Sequence, residues 1–157
     1  MTEISLMKGI ILVNHAPTAP GLRLFGVGPS FIPTNGIEKL QSFLNENTFW
    51  AKGRNKKQIC AMLSNSSVIV SLWNQNQLIG FGRATSDLVF RAVLWDVVIA
   101  KNFHGLGMGK LLIESILSNK KIKSVERVYL MTTKSSNFYK QFGFEENNKQ
   151  TLLVLNK

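Results

Sequence analysis

The chain has few of the residues that cross-link proteins, span membranes or keep chains disordered. Among its 157 residues there is one cysteine, Cys60, which excludes an intramolecular disulfide and a cysteine-only zinc site and indicates a reducing compartment. No apolar run approaches the roughly 20 residues that a membrane span needs. Charged residues make up 18% of the chain and hydrophobic ones 45%, the reverse of the balance in disordered chains. We therefore expect one intracellular domain over residues 1–157.

Acidic residues are also scarce. Nine Asp and Glu stand against nineteen Lys and Arg, giving a formal charge of +10, which favours phosphorylated or polyanionic ligands. The cations are scattered, with short pairs only at 56–57 and 120–121, whereas a nucleic-acid-binding arm would cluster them. We expect no nucleic-acid partner, no membrane partner and no metal site. The N-terminus shows no convincing cleavage site and does not indicate a signal peptide.

Proline is confined to one region. All four prolines fall between Pro17 and Pro33, within a predicted long loop over 14–36. Elsewhere, hydrophobic periodicity predicts strands and helices in the order strand, two helices, three strands, helix, strand, helix, strand, at 9–14, 37–44, 56–63, 67–73, 78–85, 91–99, 107–119, 125–132, 135–142 and 151–155. This order predicts an α/β (α+β) fold in three layers with a mixed central sheet. Residues 91–132 should form a parallel crossover.

Three alternating glycines stand between a predicted strand and helix, at Gly105, Gly107 and Gly109. Without β-carbons, the backbone N–H groups of a helix N-terminus approach an anion closely, and Lys110 adds a cation. The P-loop pattern fails because His104 stands at its first glycine, and the dinucleotide Gly-x-Gly-x-x-Gly pattern fails in both registers. The turn therefore predicts a phosphate cradle; the alternative is a tight turn where a helix packs closely on a sheet.

Two motifs carry a family resemblance. Residues 103–112, Phe-His-Gly-Leu-Gly-Met-Gly-Lys-Leu-Leu, resemble the coenzyme A signature of the GNAT superfamily, Gln/Arg-x-x-Gly-x-Gly/Ala, with His104 in place of Gln or Arg. Residues 137–144, Asn-Phe-Tyr-Lys-Gln-Phe-Gly-Phe, are similar to the Phe-Tyr-x-x-x-Gly-Phe segment of the family. Residues 80–87 and 95–98 look like the cyanobacterial and plastid branch, which includes plant enzymes described as serotonin N-acetyltransferases.

The resemblance implies a GNAT-like fold with a splayed central sheet and acetyl-CoA between two parallel strands. Backbone groups of Val97, Val98 and Ile99 would pair with the pantetheine arm. The remaining cofactor contacts would come from the glycine turn and from the second motif, namely His104, Gly105, Leu106, Gly107, Met108, Gly109, Lys110 and Asn137. Tyr139 matches the tyrosine that protonates the leaving coenzyme A thiolate, and on this match the acid role is preferred to the alternative of a core aromatic beside Phe138.

The implied reaction is direct attack of an amine on the thioester, which needs no protein nucleophile. A strand N–H near Val98 would stabilise the oxyanion. Asp96 lies inside an apolar strand, where alternation places it on one face with Leu94 and Val98. It is either the general base or a structural hydrogen-bond hub, and the two alternatives stay open. Asp87 and Glu114 are weaker base candidates, and His15 is expected to have no catalytic role.

The acceptor would be a small-molecule or protein amine: an arylalkylamine, a polyamine or a protein amine. Aromatic residues that would line a pocket for an aromatic amine are Trp50, Trp73, Trp95, Phe25 and Phe31. The rival functions are a non-catalytic acetyl-CoA sensor and a basic nucleic-acid-binding module. We expect a monomer or homodimer in the cytoplasm, with the plastid stroma as the alternative.

Overall fold

The structure is a computed structural model that describes residues 9–15, 24–25 and 35–157. Its strands and α-helices follow the predicted order as far as the last helix, with one added short strand. They are β1 (Ile10–His15), β2 (Leu24–Phe25), α1 (Gly36–Asn47), α2 (Lys56–Ser64), β3 (Val68–Asn74), β4 (Gln77–Ser86), β5 (Arg91–Ile99), α3 (Met108–Ser118), β6 (Arg127–Tyr129) and α4 (Ser136–Lys140). A 3-10 turn at Lys101–Phe103 links β5 to the glycine turn.

The described strands form one mixed sheet in the order β2-β1-β3-β4-β5-β6. Neighbouring strands are antiparallel except β5 and β6, which are parallel and joined through α3. The parallel crossover predicted over 91–132 is therefore confirmed. Pairing between β5 and β6 stops at Val93 and Tyr129. Beyond that point the two strands separate, which leaves one edge of residues 94–99 without a strand partner in the described part of the chain.

Helices cover both faces of the sheet. Leu40, Phe43 and Leu44 of α1, with Ile59 and Leu63 of α2, pack against one face in a single apolar cluster. On the opposite face α3 buries its apolar side chains, and residues of α4 pack at the margin of the same cluster. The predicted three-layer α/β arrangement is thus present.

The connection between α1 and α2, residues 48–55, is held by local hydrogen bonds. The Thr48 hydroxyl donates to the Leu44 carbonyl at 2.7 Å and accepts from the Ala51 N–H at 3.2 Å. At the start of α2, Asn55 and Gln58 form a reciprocal capping box. These bonds give the connection a defined shape, which matters because it carries Trp50 and Arg54 into the site described below.

Three predictions on secondary structure need correction. Residues 151–155 were expected to form a strand, but no regular structure is found there and Leu152, Leu153, Val154 and Leu155 are 66–87% exposed. An apolar run becomes a strand only with a partner to pair with, and no strand in the described part of the chain pairs with it. The strand expected over 125–132 is only three residues long. The loop predicted over 14–36 contains β2; its prolines and Phe31 lie outside the described residues.

Candidate active site

The glycine turn exposes a run of unused backbone donors. Gly105 and Gly107 have φ of +75° and +79°, and a β-carbon at either position would meet no atom within 4 Å. Gly107 is the N-cap of α3, and no side chain among the described residues caps that end. From Gly105 to Lys110, no backbone N–H makes a hydrogen bond of good geometry with the described part of the chain. Such a run at a helix N-terminus suits an anion.

Gly109 has a different role from the other two glycines. It lies within α3, and a β-carbon there would stand 3.0 Å from Cζ of Phe138. The absence of a side chain lets α4 approach the first turn of α3. Gly109 therefore serves close packing, although against a helix and not against the sheet that the packing alternative had expected. The contact brings the second motif beside the first, since Tyr139 follows Phe138.

The other predicted residues of the turn differ in what they offer a ligand. The His104 ring donates through Nε2 to the Ile99 carbonyl at 2.8 Å, so that nitrogen and that carbonyl are both engaged. Met108 is buried in the core at 5% exposure and offers only its backbone. The Lys110 ammonium lies 3.8 Å from Glu114 on an exposed surface. Leu106 and Asn137 are exposed.

A β-bulge interrupts β5 at the point where it leaves β6. The register of β4 against β5 passes from Phe81–Val98 to Arg83–Trp95, so Asp96 and Val97 both lie opposite Gly82. Asp96 has a φ of +52°, which is uncommon for a residue other than glycine and typical of bulges that redirect a side chain.

The bulge corrects the alternation predicted for this strand. Leu94 packs in the cluster beneath α3, whereas Val98 packs in the cluster beneath α1 and α2. Asp96 contacts the α1–α2 connection, so it does not share a face with Leu94 as expected. One extra residue reverses the facing of every side chain that follows it.

Asp96 is the centre of a buried polar cluster. One carboxylate oxygen accepts from Trp50 Nε1 at 3.0 Å; the other accepts from Arg54 Nη1 and Arg83 Nε, both at 2.9 Å. Burial raises the pKa of Asp96, but the hydrogen bonds and charges of the two arginines outweigh it and the net pKa lies below the usual 3.8. A carboxylate held ionised by two cations is a weak proton acceptor, so the geometry favours the hydrogen-bond hub over the general base.

The gap between β5 and β6 is a cavity of about 680 Å³. Its lining combines β5, the α1–α2 connection, the segment after β6, α4 and the C-terminal segment, and includes Trp50, Trp95, Asp96, Val97, Met131, Thr133, Tyr139 and Leu152. The fold thus brings together Tyr139, Asp96 and Val97, which the sequence had singled out separately. The cavity lies beside the turn that carries the free amides, because β5 runs from one to the other.

Tyr139 both lines the cavity and packs in the core. Its ring makes edge contacts with Phe138 and Phe144 at centroid distances of 5.0 and 5.9 Å. Burial raises the pKa of its phenol above the ordinary 10.0. No hydrogen bond to the described part of the chain uses its hydroxyl. At neutral pH the group is therefore a protonated donor without a protein acceptor.

Sequence reasoning missed Arg54 and Arg83, which hold Asp96, and the exposed Phe49, which lines the cavity. An acid in an apolar strand indicates that a cation lies nearby, but no spacing rule identifies which one. Of the tryptophans proposed for the pocket, Trp73 is instead 1% exposed in the core.

The weaker candidates lie outside the cavity lining. Asp87 organises the β4–β5 turn, Glu114 is exposed on α3, and His15 is buried with Nε2 2.6 Å from the Ser71 hydroxyl. Among the described residues, no group of three or more His, Cys, Asp or Glu is placed to hold a metal ion. None of the described helices is long and apolar enough to cross a membrane.

Replacing Asp96 by asparagine is expected to lower the free energy of unfolding by about 3 kcal/mol at pH 7, because Arg83 and Arg54 lose their shared anion. Since the folded-state pKa of Asp96 is depressed, its stabilisation is present above about pH 4 and disappears as the pH falls through the folded value. The difference in free energy of unfolding between the wild type and the variant should therefore become smaller in acid. Urea unfolding at pH 7 and pH 3 measures it.

The matched control is Glu38→Gln, which removes an ion pair to Lys56 whose side chains are about half exposed. That variant should unfold almost as the wild type does. An Asp96→Asn variant as stable as Glu38→Gln would show that the cluster does not stabilise the fold.

Known proteins resemble this chain in sequence and in fold. The Acetyltransferase (GNAT) domain family matches residues 64–146. The uncharacterised N-acetyltransferase ycf52 of Pyropia yezoensis is 38% identical over 106 residues, covering 64% of this chain and 60% of its own. GCN5-related N-acetyltransferase 2, chloroplastic, of Arabidopsis thaliana is 35% identical over 72 residues, covering 45% of this chain and 28% of its own. The chain thus spans about three fifths of the length of the first of these relatives.

A crystal structure of a probable acetyltransferase of unknown function from meticillin-resistant Staphylococcus aureus superposes with a TM-score of 0.71. It covers 94% of this chain and 98% of its own at 20% identity, a likeness of fold. The family match extends over more than half of the sequence and includes β5, the glycine turn and Tyr139. This chain belongs to the GNAT family of acetyltransferases.

Proposed function

We propose that the chain transfers an acetyl group from acetyl-CoA to a primary amine in the gap between β5 and β6. One observation carries the proposal: the unused amides from Gly105 to Lys110 lie at the end of the strand that also lines a cavity with a protonated tyrosine. An anion site, an open strand edge and a proton donor are the three parts that transfer from a phosphorylated thioester requires.

The residues present fit acetyl-CoA. Its pyrophosphate would be held by the N–H groups from Gly105 to Lys110, where Gly105 and Gly107 leave open space. The pantetheine arm would lie along the free edge of β5 at Val97 and Val98. Once bound, acetyl-CoA supplies an activated acetyl thioester.

Tyr139 and the bulge would do the chemistry on the protein side. Tyr139 Oη holds a proton at neutral pH and would deliver it to the sulfur as the C–S bond breaks. The proton that the amine loses on forming the amide would pass to water, from which the phenol regains its own. A backbone N–H of β5 at the gap, at Val97 or a neighbour, would donate to the oxyanion. Asp96 would act as a positioning residue, because its bonds tie the bulge to Trp50 and Arg54 of the cavity wall.

The cavity favours an aromatic amine over a polyamine. Phe49 and Trp50 stand at its rim with their rings 5.1 Å apart and nearly perpendicular, and Trp95 and Met131 add apolar surface. The one carboxylate in the described lining, Asp96, is neutralised by two arginines. A polycation would find no free anion there, whereas an aromatic ring would find stacking partners. We therefore propose an arylalkylamine as the acceptor.

Replacing Trp50 by alanine is expected to raise KM for an arylalkylamine about tenfold, because the aromatic contact at the rim is lost. KM for acetyl-CoA should change much less, since Trp50 lies on the α1–α2 connection and is not part of the glycine turn. The control is Trp50→Phe, which keeps a ring but loses the hydrogen bond to Asp96. Steady-state kinetics measure both constants, and an unchanged amine KM in the alanine variant would remove Trp50 from the acceptor site.

The test of the whole proposal is release of free thiol from acetyl-CoA across a panel of arylalkylamines, polyamines and lysine peptides. Turnover with an arylalkylamine supports it. Tight acetyl-CoA binding without turnover on any amine would favour the sensor. Salt-dependent binding to RNA or DNA without thiol release would favour the nucleic-acid module.

Between the two expected compartments we propose the plastid, because one relative is named as chloroplastic. Fractionation of the source cells, followed by detection of the protein, tests this location. A monomer or homodimer stays the proposed assembly, and light scattering of the purified chain distinguishes the two.

A further inference from the structure

The turn between β4 and β5 presents an apolar surface that the proposed reaction does not use. This hairpin tip, residues 87–90, holds Leu88, Val89 and Phe90 at 52%, 55% and 58% exposure. It lies at the opposite end of β5 from the glycine turn. Three consecutive large apolar side chains exposed at a loop tip are unusual on the surface of a monomeric soluble protein.

The backbone of the hairpin tip is satisfied internally. Asp87 Oδ1 accepts from the N–H groups of Val89, Phe90 and Arg91 at 2.7–2.9 Å. The Leu88 N–H donates to the Ser86 hydroxyl at 2.9 Å, and the Asp87 N–H donates to the Arg91 carbonyl at 3.1 Å. No N–H in the tip therefore depends on water.

Two carbonyls of the tip are satisfied as well. Those of Val89 and Phe90 accept from the N–H groups of Glu126 and Arg127. Transfer of such a backbone from water to an apolar environment costs little free energy, because few of its polar groups lose hydrogen bonds with water.

Cations stand beside the hairpin tip and in the chain segment just before the residues bonded to it. Arg91 and Arg127 adjoin it, and the segment 120–123, which leads into the residues bonded to the tip, carries Lys120, Lys121 and Lys123. The two nearby carboxylates are engaged: Asp87 with backbone N–H groups, and Glu126 with both arginines. These two arginines and three lysines outnumber Asp87 and Glu126, so the described residues next to the tip carry an excess of positive charge, in a chain with a formal charge of +10.

We propose that the hairpin tip inserts into the surface of an anionic lipid bilayer. Exposed apolar side chains on a hydrogen-bonded turn enter the interface, while the neighbouring lysines and arginines contact lipid phosphates. A nucleic acid would match the charge but not three consecutive apolar side chains, of which only Phe90 can stack on a base. The proposal departs from the expectation from sequence that the protein has no membrane partner. Docked in this way, the glycine turn faces away from the bilayer, about 30 Å along β5.

Cosedimentation with vesicles tests the proposal. The full chain should bind vesicles of phosphatidylglycerol and phosphatidylcholine, and bind pure phosphatidylcholine far more weakly. The variant Leu88→Asn/Phe90→Ser should lower the partition coefficient at least tenfold. Asparagine is chosen because Leu88 has a φ of +70°, which asparagine tolerates. Each of Lys120→Gln, Lys121→Gln and Lys123→Gln should lower it about fivefold.

The matched control is Leu153→Ser, which removes an 87% exposed leucine elsewhere on the surface and should leave binding unchanged. A far-ultraviolet circular dichroism spectrum like that of the wild type shows that each variant is folded. Equal loss in control and tip variants, or binding that the tip variant does not weaken, would overturn the proposal. So would self-association or RNA binding that depends on the tip in place of vesicle binding.

Discussion

Replacing Tyr139 by phenylalanine is expected to lower kcat about 100- to 1,000-fold and leave the Kd for acetyl-CoA nearly unchanged. The change removes one oxygen, while the ring contacts with Phe138 and Phe144 that hold α4 in place remain. The hydroxyl has no acceptor in the described part of the chain, so little stability depends on it. Thiol release measures kcat, and calorimetry measures Kd.

Tyr129 provides the control, because it lies on β6 and does not line the cavity. Tyr129→Phe should keep the rate of the wild type. The pH profile offers a second readout: since burial raises the pKa of Tyr139, its proton is lost only above about pH 10, and the rate should not decline between pH 7 and 9 from this group. A Tyr139→Phe variant with full kcat would dismiss Tyr139 as the acid.

Replacing Gly107 by glutamate is expected to weaken acetyl-CoA binding at least a hundredfold. Two causes add: a side chain is strained at a φ of +79° by about 1 kcal/mol, and a carboxylate among the free amides repels the pyrophosphate. The space around Gly107 is open, so the loss comes from the ligand site and not from a clash within the protein. Isothermal titration calorimetry with coenzyme A measures it.

Gly53 provides a matched control for the Gly107→Glu variant. It has a φ of +78° and equally open surroundings, but it lies in the α1–α2 connection. Gly53→Glu carries the same backbone strain and the same charge, and it should bind coenzyme A as the wild type does. If both variants bind equally well, the glycine turn is not the anion site.

Local patterns in the sequence were enough to place most of the elements. The predicted strand 91–99 coincides with β5, and the predicted helix 107–119 begins and ends within one residue of α3. Both predictions succeed because the signals they use, which are apolar periodicity and the glycines where a helix begins, depend only on residues close together in the sequence. The same reasoning failed at 151–155, because an apolar run records a preference for burial and not the presence of a partner.

The sequence by itself determined the order of the elements, the glycine turn at 105–109 and the tyrosine motif at 137–144, since each depends on neighbours along the chain. Only the tertiary structure decided that Gly109 serves packing against Phe138, that a bulge turns Asp96 toward the α1–α2 connection, and that Arg54 and Arg83 hold it ionised. The reason is physical: Arg54 and Asp96 stand 42 residues apart, and an ion pair across that separation depends on how the sheet and helices pack, which no local pattern records.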